Sequence, residues 1–180
     1  MNFKNVLAIL AFTGIVLSNT FAQQKIGYVN LPIVLANMSE TASMEQTIQT
    51  YQKKYAESLR SKEELFQAKY QEFAERAQTE NLTEAQLKPM EEELQKLGEG
   101  VQKYAQESEQ KILLKRQELM APIADKVQGK IKELAIEKGY TYILNAMDGA
   151  GTSVVLNGPD GDNLTAELMT RLGIKLPEGQ

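Results

Sequence analysis

Apolar residues recur at helical spacing through more than half of the chain, from about Ser39 to Lys138. In the first half of this stretch the gaps are three, four or seven residues, the spacing of one stripe along a helix or coiled-coil seam. The stripe comprises Met44, Ile48, Tyr51, Tyr55, Leu59, Phe66, Tyr70 and Phe73, followed by Leu87, Met90, Leu94, Leu97, Val101, Tyr104, Ile112, Leu119, Ile123, Val127, Ile131 and Leu134. The pattern therefore predicts two long amphipathic helices.

A polar segment at residues 79–83 separates the two helices and predicts an antiparallel hairpin. Thr83 and Gln86 fit a capping box that opens the second helix. Each helix would be roughly 60–75 Å long at about 1.5 Å per residue. A globular domain of this chain length is much smaller, so we expect the hairpin to project as an arm. Pro89 predicts a bent tip or a later helix start, and Pro122 predicts a kink.

Short elements on both sides of the hairpin predict a small body. Residues 25–30 read as a strand and Asn30–Pro32 as a helix start, whereas Gly139 suits a left-handed helix end. Residues 140–146 and 152–157 are predicted to pair as a β-hairpin, and Thr165 to cap a last helix that Gly173 ends. The fold class is thus α+β, a long antiparallel helical hairpin on a small β-sheet or barrel body.

The first 22 residues have the pattern of a secretory signal peptide. Lys4 precedes an apolar run at residues 6–17, and Thr20 and Ala22 are the small residues that a signal peptidase reads. The run is shorter than the ~20 residues that span a bilayer, so we expect cleavage after Ala22 and export. The predicted organisation is a signal peptide at 1–22, the body at 23–38 and 139–176, the hairpin arm at 39–138 and a tail at 177–180.

Composition argues against catalysis and cofactor binding. The chain contains no Cys and no His, so it offers no thiol nucleophile, no disulfide, no imidazole base and no His or Cys metal site. The carboxylates of Glu91, Glu92 and Glu93 spread around a helix and cannot act together. The turn at 157–163 has oxygen ligands but lacks the EF-hand spacing. We expect no catalytic residue, no metal and no cofactor.

Charge is concentrated in the outer part of the arm. The net charge is −4. The sequence has no cluster of Lys and Arg with interleaved aromatic residues, so it gives no indication of nucleic-acid binding. Between residues 72 and 99 the only basic residues are Arg76, Lys88 and Lys96. The acidic residues there are Glu72, Glu75, Glu80, Glu84, Glu91, Glu92, Glu93 and Glu99.

The size of the predicted body favours an oligomer. About 70 residues in a few short strands and helices leave open sheet edges and little buried area. An isolated two-helix arm cannot bury so many aromatic side chains. We therefore expect several copies to close their strands together and hold their arms side by side, in a number that this reasoning leaves open.

The order and spacing of these elements resemble the Skp/OmpH family of periplasmic chaperones over residues 25–176. The best-matching stretch is 119–134 running into 137–145, and the opening strand at Ile26–Val29 and the closing helix also match. Residues of the types common in the family are Pro122, Ile123, Lys126, Ile131, Gly139, Tyr142, Leu164, Thr165, Leu172 and Gly173.

This resemblance implies a homotrimer with a small β-barrel body and three helical arms around a cavity. It also implies that unfolded outer-membrane proteins are held there without ATP and delivered for membrane assembly. The apolar side chains expected to contact such clients are Tyr51, Tyr55, Phe66, Tyr70, Phe73, Met90 and Tyr104. Familiar members are strongly basic, whereas this arm is acidic. We therefore do not extend lipopolysaccharide or membrane contact to this chain, and clients held by charge would need basic segments.

An adaptor of an efflux or secretion system is the main alternative, because such proteins also carry a periplasmic helical hairpin. Those adaptors have larger β-rich domains than about 70 residues allow. A structural spacer between envelope layers is a further alternative, although the sequence shows no recognisable peptidoglycan or lipid anchor. An enzyme would have to depend on carboxylates alone.

Overall fold

The computed structural model describes residues 24–148 and 150–175, so the predicted signal peptide and tail lie outside the described residues. The elements in chain order are β1 (Ile26–Val29), α1 (Leu31–Ala36), α2 (Ser39–Thr79), α3 (Glu84–Lys138), β2 (Tyr142–Asn145), a 3-10 turn (Asp160–Asp162) and α4 (Thr165–Arg171). They form two compact units, one from Leu35 to Gln128 and one from the residues on either side. The predicted α+β class with a long helical hairpin is confirmed.

The second long helix begins where its local signal predicts. α2 has 41 residues and α3 has 55, which correspond to about 60 Å and 80 Å of helix. The Thr83 amide and hydroxyl donate to Gln86 Oε1 at 3.0 and 2.8 Å, and α3 begins at Glu84, directly after Thr83. The helix runs through Pro89 and Pro122, so the later start considered for Pro89 is wrong. The kink at Pro122 stays a prediction.

In the unit from Leu35 to Gln128, α2 and α3 pack against each other as an antiparallel pair. Arg116 donates to both carboxylate oxygens of Glu45, at 2.7 and 3.4 Å, and Lys126 pairs with Glu40. Buried side chains cluster at one end of this pair: Met38, Met44, Ile48, Ser108, Ile123 and Val127. Every residue from 49 to 107 remains at least partly exposed.

The other unit is organised around a two-stranded parallel sheet. β1 pairs with β2 in the register Ile26↔Tyr142 to Val29↔Asn145. Its core consists of Val29, Val34, Leu134, Tyr140, Leu164, Leu168 and Met169. α3 ends as predicted, because Gly139 has φ +69 and the Tyr140 amide donates to Ala135 O at 2.9 Å.

The prediction that residues 152–157 form the second strand of a β-hairpin is wrong. Only one antiparallel bridge forms there, between Met147 and Ser153. The Asp148 carboxylate accepts the Thr152 amide at 2.7 Å within the turn. Beyond the bridge the Val154 and Val155 amides share one acceptor, Ala146 O, at 2.8 and 3.3 Å, and the ladder ends there. Because the following residues have no adjacent strand in the described chain, their β propensity is not realised.

Thr165 also has a different role from the predicted helix cap. It is the first residue of α4, and the side chain of Leu164 at the N-cap position makes no capping bond. The Thr165 hydroxyl accepts the Asn30 amide at 2.9 Å and donates to Asn163 Oδ1 at 2.7 Å. Asn163 supplies the local cap instead, because its Oδ1 also accepts the Thr165 amide at 3.1 Å, while the Thr165 hydroxyl makes a tertiary contact with the chain just after β1.

Candidate functional site

Three of the sequence-predicted contact residues form one tyrosine cluster between α2 and α3. The ring centroids of Tyr51 and Tyr55 are 6.3 Å apart, and those of Tyr55 and Tyr104 are also 6.3 Å apart. Lys62 Nζ lies 5.1 Å from the Tyr104 centroid and Lys115 Nζ 5.8 Å from that of Tyr51. The three rings are half-buried, so each packs within the hairpin and remains partly accessible.

Phe66 and Tyr70 form a second pair, one helical turn apart on α2. Their rings stack with centroids 6.4 Å apart and an interplanar angle of 30°. Phe66 passes over α3 at Gly98, where a Cβ would lie 3.5 Å from the ring. Tyr70 is 54% exposed, which makes it the most accessible member of the predicted set.

Phe73 and Met90 line a small groove near the turn of the hairpin, with a cavity of about 90 Å³. Lys69 borders this groove and contacts Glu72 at 3.1 Å and Glu93 at 3.7 Å. The hydrogen bond to Glu72, with the attraction of both carboxylates, raises the pKa of Lys69 above its usual value. This rim is therefore already neutralised by its own ion pairs.

The structure thus divides the predicted residues among three neighbourhoods along the hairpin. Six of the seven are half-buried between the helices, where they also stabilise the hairpin itself. Their partial exposure still leaves apolar area for a partner, because none of them is buried in this chain.

Sequence reasoning missed more exposed apolar side chains on the same helices. Leu65 on α2 is 50% exposed, and Leu113 and Leu114 on α3 are 56% and 63% exposed. All three lie off the apolar stripe. A large apolar residue outside the stripe of an amphipathic helix is expected to be exposed, and this pattern could have identified them from the sequence. They are better placed than the seam aromatics to contact another molecule without disturbing the hairpin.

Heptad spacing places two grooves on one face of the hairpin. Lys62 and Lys69 are seven residues apart on α2, as are Glu93 and Gly100 on α3. Lys69 and Glu93 line the groove near the turn, whereas Lys62 and Gly100 line a second one. We call the second the middle groove; it is lined by Lys62, Leu65, Lys96, Leu97, Gly100 and Val101.

A larger groove of about 450 Å³ lies at the end of the hairpin that carries the buried core. Leu119 and Pro122 of α3 line it, together with the ion pair of Glu40 and Lys126. The hydrogen bond from Lys126 is the main reason that the pKa of Glu40 falls from 4.5 to about 2. Its charges, like those near the turn, are paired within the hairpin.

The described residues provide no evident metal site and no membrane span. No three Asp, Glu, His or Cys side chains in that part of the chain are grouped to hold a metal ion. Asp162, from the turn considered for calcium, instead accepts the Tyr140 hydroxyl at 2.9 Å. Among the helices of the described ranges, none is both long and apolar enough to cross a membrane.

The fold and this surface define a class of protein: α+β, with a long helical hairpin that carries apolar side chains along its length. The family model described as "Outer membrane protein (OmpH-like)" matches residues 25–172. The chain therefore belongs to the OmpH-like family. No curated protein sequence matches the chain significantly.

A solved structure shows the same fold. It is the crystal structure of an OmpH-like outer membrane chaperone candidate from Caulobacter crescentus, with a TM-score of 0.68 and 11% sequence identity. The match covers 84% of this chain and 85% of that one. At this identity the comparison establishes the shared architecture and no residue-level correspondence.

Proposed function

We propose that this chain is an ATP-independent periplasmic holdase chaperone that binds unfolded outer-membrane proteins between helical hairpins and delivers them for membrane assembly. Membership of the OmpH-like family supports a chaperone role. The observation that carries the proposal is the exposure of the hairpin, in which every residue from 49 to 107 is at least partly accessible. Such a surface binds the unfolded state and lowers the concentration of free, aggregation-prone chains without ATP.

The contact surface in this proposal combines the exposed apolar residues with the accessible edges of the predicted aromatics. Leu65, Tyr70, Leu113 and Leu114 each have about half or more of their surface exposed. Mixed aromatic and aliphatic surfaces accommodate many apolar sequences, which a chaperone of varied clients requires. The tyrosine cluster and Phe66, Phe73 and Met90 add partial contacts where the two helices meet.

The same proposal includes a homo-oligomer, a trimer by resemblance to the family, joined through the unit that contains the sheet. That unit exposes apolar side chains that a single copy leaves uncovered: Ile26, Tyr142, Leu144, Val154 and Leu156. Leu156 is 88% exposed, and its segment is rich in β-favouring residues that, within the described chain, pair only through the Ser153 bridge. A neighbouring copy could supply that partner and cover the sheet edges.

The signal-peptide pattern of residues 1–22 supports export in this proposal, and membership of the OmpH-like family supports the periplasm as the destination. An exported aqueous compartment has no ATP supply, so the holdase mechanism suits it. The acidic outer arm disfavours charge-driven contact with lipopolysaccharide or anionic lipid, and we propose that clients are recognised as unfolded chains instead.

An aggregation assay tests the function directly. A urea-unfolded outer-membrane β-barrel protein is diluted into buffer with and without the mature chain, while light scattering and complex mass are recorded. We expect suppressed scattering and a soluble complex. An unchanged aggregation curve at excess chain would refute the chaperone proposal and favour a structural spacer.

A matched pair of variants locates the surface. Leu114→Ser removes an apolar side chain that is 63% exposed on the hairpin, whereas Ile136→Ser removes one that is 73% exposed on the same helix in the other unit. Only Leu114→Ser should weaken client retention. Equal effects would indicate that the hairpin is not the contact surface. Sedimentation of the mature chain tests the oligomer, and a monomer at micromolar concentration would contradict it.

A further inference from the structure

The middle groove differs from the two other grooves in its charges. Both other grooves are bordered by lysines that form ion pairs within the hairpin. Lys62 and Lys96 border the middle groove, and neither forms a salt bridge with any residue that the structure describes. Lys62 Nζ lies 5.1 Å from the Tyr104 ring centroid, a contact that leaves its positive charge unneutralised, so both lysines can pair with a carboxylate of a ligand.

The floor between these lysines is apolar and open. Leu65 is 50% exposed, Leu97 and Val101 are half-buried, and the cavity measures about 90 Å³. A Cβ on Gly100 would meet nothing within 4 Å, so the glycine leaves the floor uncovered. This volume is about three times the ~30 Å³ of one water molecule in the liquid, which suits the end of one apolar side chain.

Another exposed leucine lies further along α3. Leu114 lies two heptads from Gly100 and so on the same face of α3. Fourteen residues of helix measure about 21 Å, a distance that roughly six or seven residues of extended chain can span. A short unfolded segment could therefore reach from the groove at Gly100 to Leu114.

We propose that the middle groove binds segments of unfolded clients in which an apolar residue is flanked by acidic residues. The apolar side chain contacts Leu65, Leu97 and Val101, and the flanking carboxylates pair with Lys62 and Lys96. The charge of the neighbouring turn adds selectivity. Glu75, Glu84, Glu91 and Glu92 form no salt bridge with any described residue there, so acidic segments avoid the turn and bind at the groove. This proposal rests on the proposed chaperone function and specifies the client chemistry that one part of the arm selects.

Labelled peptides of 12 residues test the chemistry. Three peptides share the same apolar residues and carry two flanking Asp, two Asn or two Lys, and fluorescence anisotropy measures their binding to the full mature chain. We expect the Asp peptide to bind roughly five- to tenfold more tightly than the Lys peptide at low salt, the size expected for two exposed ion pairs. The difference should shrink as salt rises. Equal binding of the three peptides, or preference for Lys, would overturn the proposal.

Variants locate the binding. Lys62→Glu combined with Lys96→Glu should abolish the preference for the Asp peptide. The control, Lys53→Glu combined with Lys88→Glu, changes the net charge equally at lysines that do not line the groove. Equal loss in both double variants would show a general charge effect and overturn the proposal. Gly100→Leu fills the groove while improving helix propensity, so it should weaken binding of all three peptides without loss of helix content. Unaltered binding by Gly100→Leu would also refute the site.

The same proteins in the aggregation assay separate the two hypotheses. Failure of the wild-type chain to hold an unfolded barrel protein would refute the chaperone function itself. A wild-type chain that holds clients, together with a Lys62→Glu/Lys96→Glu variant that binds the Asp peptide normally, would refute only the groove. Sedimentation of each variant is included, because an altered oligomer with unchanged peptide binding would assign the groove to contacts between copies and overturn the proposal.

Discussion

Substitution of Gly27 tests the packing of the strand-containing unit most directly. A Cβ on Gly27 in β1 would lie 2.9 Å from Leu164 Cδ1 and 3.0 Å from Tyr140 Cε1. Ordinary contacts between carbon atoms are about 3.5–4.0 Å. Gly27→Ala therefore requires one or both side chains to move by roughly 0.5–1 Å.

Neither neighbour can move freely. The Tyr140 hydroxyl donates to Asp162 Oδ1 at 2.9 Å, and Lys25 Nζ lies 4.0 Å from the ring centroid. Leu164 is buried and its amide donates to Tyr28 O at 2.8 Å. Overpacking of this kind costs about 1–3 kcal/mol, and replacing glycine in a strand returns about 0.5–1 kcal/mol. We expect a net loss of about 1–2 kcal/mol.

Gly129→Ala is the matched control. Gly129 lies within α3 and a Cβ there would meet nothing within 4 Å, so this variant should gain about 0.5–1 kcal/mol. Urea unfolding followed by circular dichroism gives both values, at one protein concentration because assembly would make stability concentration-dependent. A Gly27→Ala protein as stable as wild type, with an unchanged m value, would refute the packing described for β1.

Three further outcomes are expected. The pKa of Glu40 is lowered from 4.5 to about 2, so the stability contributed by its bond to Lys126 is present at neutral pH and lost as pH falls through that window. The stability difference between wild type and Glu40→Gln should shrink accordingly in urea titrations, and a constant difference down to pH 2 would contradict it. Leu134→Ala should cost about 2–5 kcal/mol, whereas Ile136→Ala, at a 73% exposed position, should stay within about 0.5 kcal/mol; similar values would exclude Leu134 from the core. Gln86→Ala removes the oxygen that accepts both the Thr83 amide and the Thr83 hydroxyl, so it should cost about 1 kcal/mol and accelerate exchange of the Thr83 amide; unchanged exchange there would count against the cap.

Local signals in the sequence determined the long elements of this protein. The helical spacing of apolar residues and the Thr83 cap predict α2 and α3 well, because helix bonds and caps join residues only a few positions apart. Gly139 ends α3 for the same reason, since a glycine accepts the positive φ that this cap requires. The stripe likewise places six of the seven predicted contact residues where the helices meet, whereas Tyr70 is more than half exposed.

Only the tertiary structure decided which of these residues remain open to a partner. A strand needs a neighbour from elsewhere in the chain, so the β propensity of residues 152–157 could not establish whether a ladder forms. The exposure of Leu65 and the lack of salt bridges at Lys62 and Lys96 depend on how α2 and α3 align side by side. The hydrogen bond between the Asn30 amide and the Thr165 hydroxyl joins residues far apart in the sequence, which local patterns do not predict. Periodicity describes one helix at a time, whereas a groove exists only between two.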